Sequence, residues 1–171
     1  MGKLKLRKFR MSDINALMNL LANDKILKDM DSPKRAKEIT RSGEIKWLKD
    51  VIKNYKIKEP EEYNLAITVG DNFIGTIGVN EFDYKNNNAE IGYWIGEPYW
   101  GKGYATLALK KFLKELFRKF KLVRIYAYVN DYNKASQKVL ENCGFKLEGI
   151  RRKVVKEGNK YLNDKQYSLI K

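Results

Sequence analysis

The sequence predicts a mixed α/β fold, a twisted and mostly antiparallel sheet of about seven strands with flanking helices. Three observations lead there. The strand-like runs 63–69, 73–82 and 89–95 follow one another with only turn residues between them, which makes antiparallel neighbours. A long helical pattern then separates 89–95 from a further strand at 122–129, and a strand, helix, strand unit of this kind pairs its strands in parallel. The chain closes in a two-stranded ribbon, so strands and helices do not alternate throughout as they would in a doubly wound sheet. With 171 residues and no linker, repeat or low-complexity tract, residues 1–171 are expected to form one domain.

Lys3 to Arg10 alternates, with Leu4, Leu6 and Phe9 on or near one face, and reads as the first strand. Ser12 is placed to cap a helix carrying Ile14, Leu17, Met18 and Leu21. The pattern loosens after Asp24. Asp31-Ser32-Pro33 reads as a turn or cap, 33–41 stays open between helix and loop, and a second helix runs from about Ser42 to Tyr55. This early helical region is either a wall on the substrate side or plain cover for the sheet.

Gly70-Asp71-Asn72 joins the next two strands as a hairpin, and the polar run 84–88 turns the chain into the strand Ala89 to Ile95. Leu109, Phe112, Leu113, Leu116 and Phe117 form the apolar stripe of a helix of roughly four turns, with Lys110, Lys111, Lys114 and Lys119 largely off it. After the strand 122–129, a short helix covers about 133–142 and stops at Gly144. The ribbon pairs 145–155 with 163–170 around a Gly158-Asn159 turn.

Between Ile95 and the long helix lies Glu-Pro-Tyr-Trp-Gly-Lys-Gly-Tyr-Ala-Thr, residues 97–106. The first turn of a helix has amide protons without internal partners, and Gly101 and Gly103 remove the Cβ atoms that would keep a phosphate away from them. Lys102 adds positive charge. The turn therefore suits a phosphate-bearing cofactor, although Gly-x-Gly by itself also describes a tight turn. Neither a Gly-x-Gly-x-x-Gly fingerprint opening a first βαβ unit nor a Gly-x-x-x-x-Gly-Lys-Ser/Thr loop is present.

Composition narrows the chemistry. The chain has no histidine, which excludes Ser-His-Asp and Cys-His triads, and with a single cysteine it lacks the usual zinc ligand sets, so no metal is expected. Cys143 reads as a small buried residue. No apolar run is long enough to cross a bilayer, no membrane partner is expected, and the cytoplasm is the expected location. A net charge of +14 attracts polyanions and disfavours polycationic substrates unless a local acidic pocket exists.

The element order, with Tyr99 to Thr106 between a fourth strand and a long helix, resembles the GNAT superfamily of acyl-CoA N-acyltransferases. A second block, Val129 to Phe145 (VNDYNKASQKVLENCGF), is similar to the branch that includes ribosomal-protein N-terminal acetyltransferases. The likeness runs from Leu4 to Leu169. It implies acetyl-CoA as cosubstrate and direct acetyl transfer to a primary amine in a ternary complex, without a covalent enzyme intermediate. The implied acceptor is the N-terminal α-amine of a protein such as a ribosomal protein; a polyamine, antibiotic or amino acid is the alternative, and a noncatalytic RNA- or ribosome-binding module the third.

The resemblance also implies roles for particular residues. Trp100, Gly101, Lys102, Gly103, Tyr104, Ala105 and Thr106 occupy the pyrophosphate turn, with Trp100 where the family often has a basic residue or glutamine. Tyr93, Trp94 and Ile95 present main-chain groups to the pantetheine arm, and an amide near Ile95 is placed to polarise the acetyl carbonyl. Asn133 helps hold the pantetheine arm or simply caps its helix. Ser136 is the candidate acid for the departing thiolate or merely bonds backbone, and Leu140 stands where related polyamine acetyltransferases carry a tyrosine. Glu90 is the candidate to orient or deprotonate the amine through water, with Glu81 and Asp83 as weaker choices and a solvated sheet position as the plain alternative. Ribosome association and a homodimer formed through a sheet edge are further expectations.

Overall fold

The computed structural model describes residues 2–29, 39–157 and 159–171. Seven strands form one sheet: β1 (Leu4–Arg7), β2 (Tyr63–Val69), β3 (Asn72–Asp83), β4 (Asn88–Ile95), β5 (Arg124–Asn130), β6 (Lys146–Glu157) and β7 (Lys160–Ile170). Their order is β1-β2-β3-β4-β5-β7-β6, and every pairing is antiparallel except β4 with β5. The helices are α1 (Ile14–Leu21), α2 (Asp24–Asp29), α3 (Arg41–Asn54), α4 (Tyr104–Lys119) and α5 (Lys134–Asn142).

Two apolar layers sandwich the sheet. On one face α4 buries Leu109, Phe112 and Leu116 completely, against Leu65, Ile67, Ile77, Val79 and Ile91 of the central strands. Phe112 stacks on Tyr63 at 6.3 Å, so this stripe is core, as its spacing predicts. On the other face Leu17 of α1 and Leu48 of α3 meet Phe9, Phe73 and Ala66. Phe9 lies beyond the end of β1 and belongs to this second layer, edge-on to Trp47 at 5.2 Å, whereas Leu4 belongs to the first. Truncating a fully buried aromatic such as Phe112 removes about 3–5 kcal/mol.

Some local expectations change. The start of α1 is organised by Asp13 and not by Ser12. A 3-10 turn over Met11–Asp13 precedes the helix, and the Asp13 carboxylate accepts from the Arg10 amide at 2.8 Å while both its oxygens bind Arg7. The 3-10 turn occupies the position that Ser12 is expected to cap, and no side-chain bond caps α1 itself. The loosened stretch after Asp24 contains the short helix α2, whose six residues carry too little periodicity to read in advance. The predicted Asp31-Ser32-Pro33 turn lies outside the described residues, as do all but the last few residues of 33–41 and Gly158 of the ribbon turn. Helix α3 is capped by Thr40, whose side chain accepts from the Gly43 amide at 3.1 Å. Among the described residues no helix is long and apolar enough to cross a membrane.

Candidate active site

The site begins where β4 and β5 part. Their parallel ladder joins Asn88 to Arg124, Ala89 to Ile125 and Glu90 to Tyr126, and then ends although both strands continue. The divergence opens a cavity of about 730 Å3 that runs from the glycine turn, between β4 and α5, to the α1–α3 side of the sheet. Glu90, Tyr93, Trp94, Ile95, Trp100, Gly101, Gly103, Tyr104, Ala105, Thr106, Asn133 and Ser136 all line it.

Backbone alternation decides which β4 groups face the gap. Gly96 donates to the Ile74 carbonyl at 2.8 Å, and Gly75 pairs with Ile95. Alternate residues of an antiparallel pair point their polar groups at each other, so Trp94 and Gly92 are bonded to β3 while Tyr93 and Ile95 turn away from it. The side from which β5 has departed therefore presents Tyr93 and Ile95 main-chain groups. Trp94 does not share this role. Its main chain is committed to β3, and its ring packs edge-on against Phe73 at 6.1 Å. The Ile95 carbonyl is itself occupied, because Trp100 donates its indole Nε1–H to it at 2.5 Å. Trp100 thus spends its one side-chain donor holding the turn against the end of β4.

The glycine turn has the geometry that its composition implies. Gly101 and Gly103 have φ of 71° and 74°, a region that disfavours side chains, and beyond the chain neighbours no heavy atom lies within 4 Å of where a Cβ would sit on either. Gly103 caps α4 without a side-chain bond, which leaves the first-turn amides for a ligand. A pyrophosphate fits this open, dipole-favoured cradle. Lys102 does not line the cavity; its Nζ donates to the Pro98 carbonyl at 2.9 Å and lies 5.7 Å from the Tyr99 ring.

Opposite β4, α5 starts with Asn133 as its cap, its side-chain oxygen accepting from the Ser136 amide at 2.9 Å. The Ser136 hydroxyl lies 2.9 Å from the Tyr93 hydroxyl, which is also 3.2 Å from the Ser136 carbonyl. Burial pushes the Tyr93 phenol well above the usual tyrosine range, so it stays protonated at neutral pH. Leu140 is fully buried in the core and supplies nothing to the cavity wall. A phenol does face the cavity from the opposite strand, at Tyr93. Half-buried Cys143 sits behind this wall, its thiol pushed up by desolvation.

The acceptor side is floored by polar residues on the α1–α3 face of the central strands. Asn64, Gly78 and Gly92 are register neighbours across β2, β3 and β4. The Asn64 side chain lies over Gly78, where an added Cβ would meet its Oδ1 at 1.8 Å, and the Asn80 side chain lies over Gly92. Asn64 also donates to Glu62, and Asn80 to Glu90, each at 3.3 Å. Asn64, Asn80, Glu62 and Glu44 escaped sequence reasoning. Glycines inside strands 73–82 and 89–95 were the available signal of a close approach. Of the weaker acidic candidates, Asp83 is a turn residue that binds the Asn86 amide and side chain, and Glu81 is exposed outside the cavity.

The fold and cleft together define an acyl-CoA-dependent transferase of amines. The chain belongs to the acetyltransferase (GNAT) domain family, whose model matches residues 3–146. It is 30% identical to an uncharacterized N-acetyltransferase, p20, of Bacillus licheniformis, over 99% of this chain and 93% of that protein. A microcin C7 self-immunity acetyltransferase, MccE, solved with acetyl-CoA and AMP, superposes with a TM-score of 0.85 at 25% identity, covering 99% of this chain and 93% of the other. RimL, a ribosomal L7/L12 α-N-protein acetyltransferase solved with coenzyme A, shares the fold with a TM-score of 0.88 at 22% identity over 99% and 95% of the two chains.

When bound, acetyl-CoA supplies an activated thioester carbonyl. The residues that would hold it are the 101–106 turn for the phosphates and the outward-facing main chain of Tyr93 and Ile95 for the arm, while the Tyr93 and Ser136 hydroxyls and the Glu90 carboxylate line the same cavity. Among the described residues no group of three or more histidine, cysteine, aspartate or glutamate side chains is placed to hold a metal.

Proposed function

We propose that this acetyltransferase acts on the N-terminal α-amine of a protein, with ribosomal proteins as the first substrates to examine. The observation that carries the reading is the amide-paved floor. Asn64 and Asn80, flanked by Glu62 and Glu90, offer neutral donors and acceptors over two positions that lack side chains, which suits an extended peptide whose own backbone groups need partners. The similarity of the Val129 to Phe145 block to ribosomal-protein acetyltransferases, and the fold shared with RimL, support the same reading.

In this reading Glu90 accepts the amine proton through water, because an ammonium has no lone pair with which to attack. The Tyr93–Ser136 hydroxyls return a proton to the leaving thiolate. Glu44, Glu62 and Glu90 all line the acceptor side, and these three carboxylates favour a second reading, a polyamine acceptor. Acetylation of a mixed panel of ribosomal proteins, N-terminal peptides and polyamines, resolved by mass, separates the two. Acetyl gain at protein N-termini supports the proposal, and exclusive gain on a polyamine overturns it.

A further inference from the structure

Beside the main cavity lies a second one of about 310 Å3, lined by Glu90, Tyr128, Arg151, Val154, Val155 and Asp164. Glu90 and Tyr128 line both cavities, so the second begins where the acceptor amine is expected. Arg151 is its distinctive feature. It belongs to β6, two strands from β5, yet its guanidinium carbon lies 3.4 Å from the ring centroid of Tyr128 on β5. The side chain reaches across β7, inward toward Glu90.

Two devices hold it there. Asp164 of β7, 1% exposed, accepts from Nε at 2.8 Å and from Nη2 at 2.5 Å. A bulge does the rest. β6 pairs Arg151 with Asp164 and next Val155 with Leu162, so more residues of β6 than of β7 occupy the interval. Lys153 takes a φ of 55° within it, and its amide is held by the Asn163 side chain at 2.9 Å. Bulges re-aim side chains, and this one sets Val154 and Val155 as walls of the cavity.

A buried carboxylate and an aromatic face therefore pre-orient one guanidinium. Asp164 takes two of its N–H groups, and the Nη1 pair has no protein partner among the described residues. At the other end Glu90 forms no ion pair among the described residues. The cavity thus has a carboxylate at one end and a partly unused, planar cation at the other. Asp164 already offsets the Arg151 charge, so selection rests on the unused Nη1 donors, which match an amine that carries a carboxylate.

We propose that the second cavity is the specificity subsite of the acceptor, taking a carboxylate of the acceptor on Arg151 while the amine lies by Glu90. The inference rests on the acetyltransferase reading of the main cavity and deepens it. The carboxylate has two chemical sources, an acidic side chain near the N-terminus of a peptide or the α-carboxylate of a free amino acid.

Matched acceptors decide between these sources and test the subsite itself. Peptides differing only as Asp or Asn at the second position, and amino acids with their amides, are acetylated at saturating acetyl-CoA by the wild type, Arg151→Gln and Arg151→Lys. The carboxylate member of at least one pair is expected to win by about tenfold or more in kcat/KM, expressed in KM, the scale of one charge-assisted hydrogen bond. Arg151→Gln brings that ratio to about one, with acetyl-CoA affinity unchanged. Preference within the peptide pair identifies the side chain as the source, and preference within the amino-acid pair identifies the α-carboxylate. Equal use of both members of both pairs by the wild type, or an unchanged ratio in Arg151→Gln, overturns the proposal. The wild-type comparison decides even where a variant fails to fold. If peptides are not substrates at all, the N-terminal reading fails while the amino-acid pair still judges Arg151.

Discussion

The hydroxyl of Tyr93 on β4 lies 2.9 Å from the hydroxyl of Ser136 on α5, bridging the cleft at the level where the two strands have separated. One group alone is a modest acid. Two in contact let the first donate while the second replaces its proton, and the buried phenol keeps its own proton at neutral pH. The pair is expected to act as a unit. Ser136→Ala and Tyr93→Phe should each lower kcat by about a hundredfold, the lower range for general acid catalysis, and the double variant should lose little more than the worse single one. Steady-state kinetics with acetyl-CoA affinity measured by calorimetry check this, and strictly multiplicative losses would separate the two roles.

Substitution at the glycine turn tests the phosphate cradle. Gly101→Val and Gly103→Val force a β-branched residue into positive φ and place carbon where the ligand is expected, at positions where an added Cβ meets no heavy atom within 4 Å beyond its chain neighbours. Acetyl-CoA affinity should fall at least tenfold. The melting temperature should drop only by the equivalent of the local backbone strain, about 1–3 kcal/mol. A variant that binds acetyl-CoA as well as the parent would show that the turn is only a turn.

Much of this was legible in the sequence because hydrophobic period and turn chemistry are local. The stripe of Leu109, Phe112 and Leu116, the Gly70-Asp71 hairpin and the parallel β4–β5 unit all follow from neighbours in the chain, and the structure has them there. The glycine turn was legible for the same reason. What did not show is whatever depends on side chains meeting across strands. The sequence points to Tyr93 for its backbone, yet its phenol reaches Ser136, 43 residues away. Lys102 has the right charge and neighbours but is turned onto Pro98. Arg151 is followed directly by Arg152 and Lys153, and only the bulge and Asp164 distinguish it from them.

Glu90 offers a pH test of the amine's deprotonation. With Glu90→Gln the proton must go directly to solvent, so kcat/KM for the amine should fall by about a hundredfold near neutral pH and recover partly as alkaline pH frees more neutral amine. The profile therefore moves upward in pH. The Asn80 contact at 3.3 Å survives the substitution, since a glutamine oxygen still accepts, so folding is expected to hold. An unchanged pH profile at saturating acetyl-CoA would reduce Glu90 to a solvated sheet residue.

Tyr55 connects stability to the acceptor floor. Its hydroxyl donates to the Asn64 carbonyl at 2.6 Å and accepts from the Phe9 amide at 2.9 Å, tying the end of α3 to β2 and to the segment after β1. Tyr55→Phe leaves a backbone donor and a backbone acceptor without this partner at partly buried positions, and should cost about 1–3 kcal/mol in denaturant unfolding. Desolvation pushes the phenol up to about 12. A group whose pKa is raised on folding contributes stability that is complete below its unfolded value near 10 and is lost as pH rises through the folded value. The parent should therefore lose stability between about pH 10 and pH 12 more steeply than Tyr55→Phe, whose side chain cannot ionise. Parallel curves for the two proteins over that window would mean that Tyr55 ionises as freely in the fold as in the unfolded chain. Because the same hydroxyl fixes the Asn64 carbonyl, Tyr55→Phe should also raise KM for the acceptor while sparing acetyl-CoA affinity, a split that loss of the whole fold cannot produce.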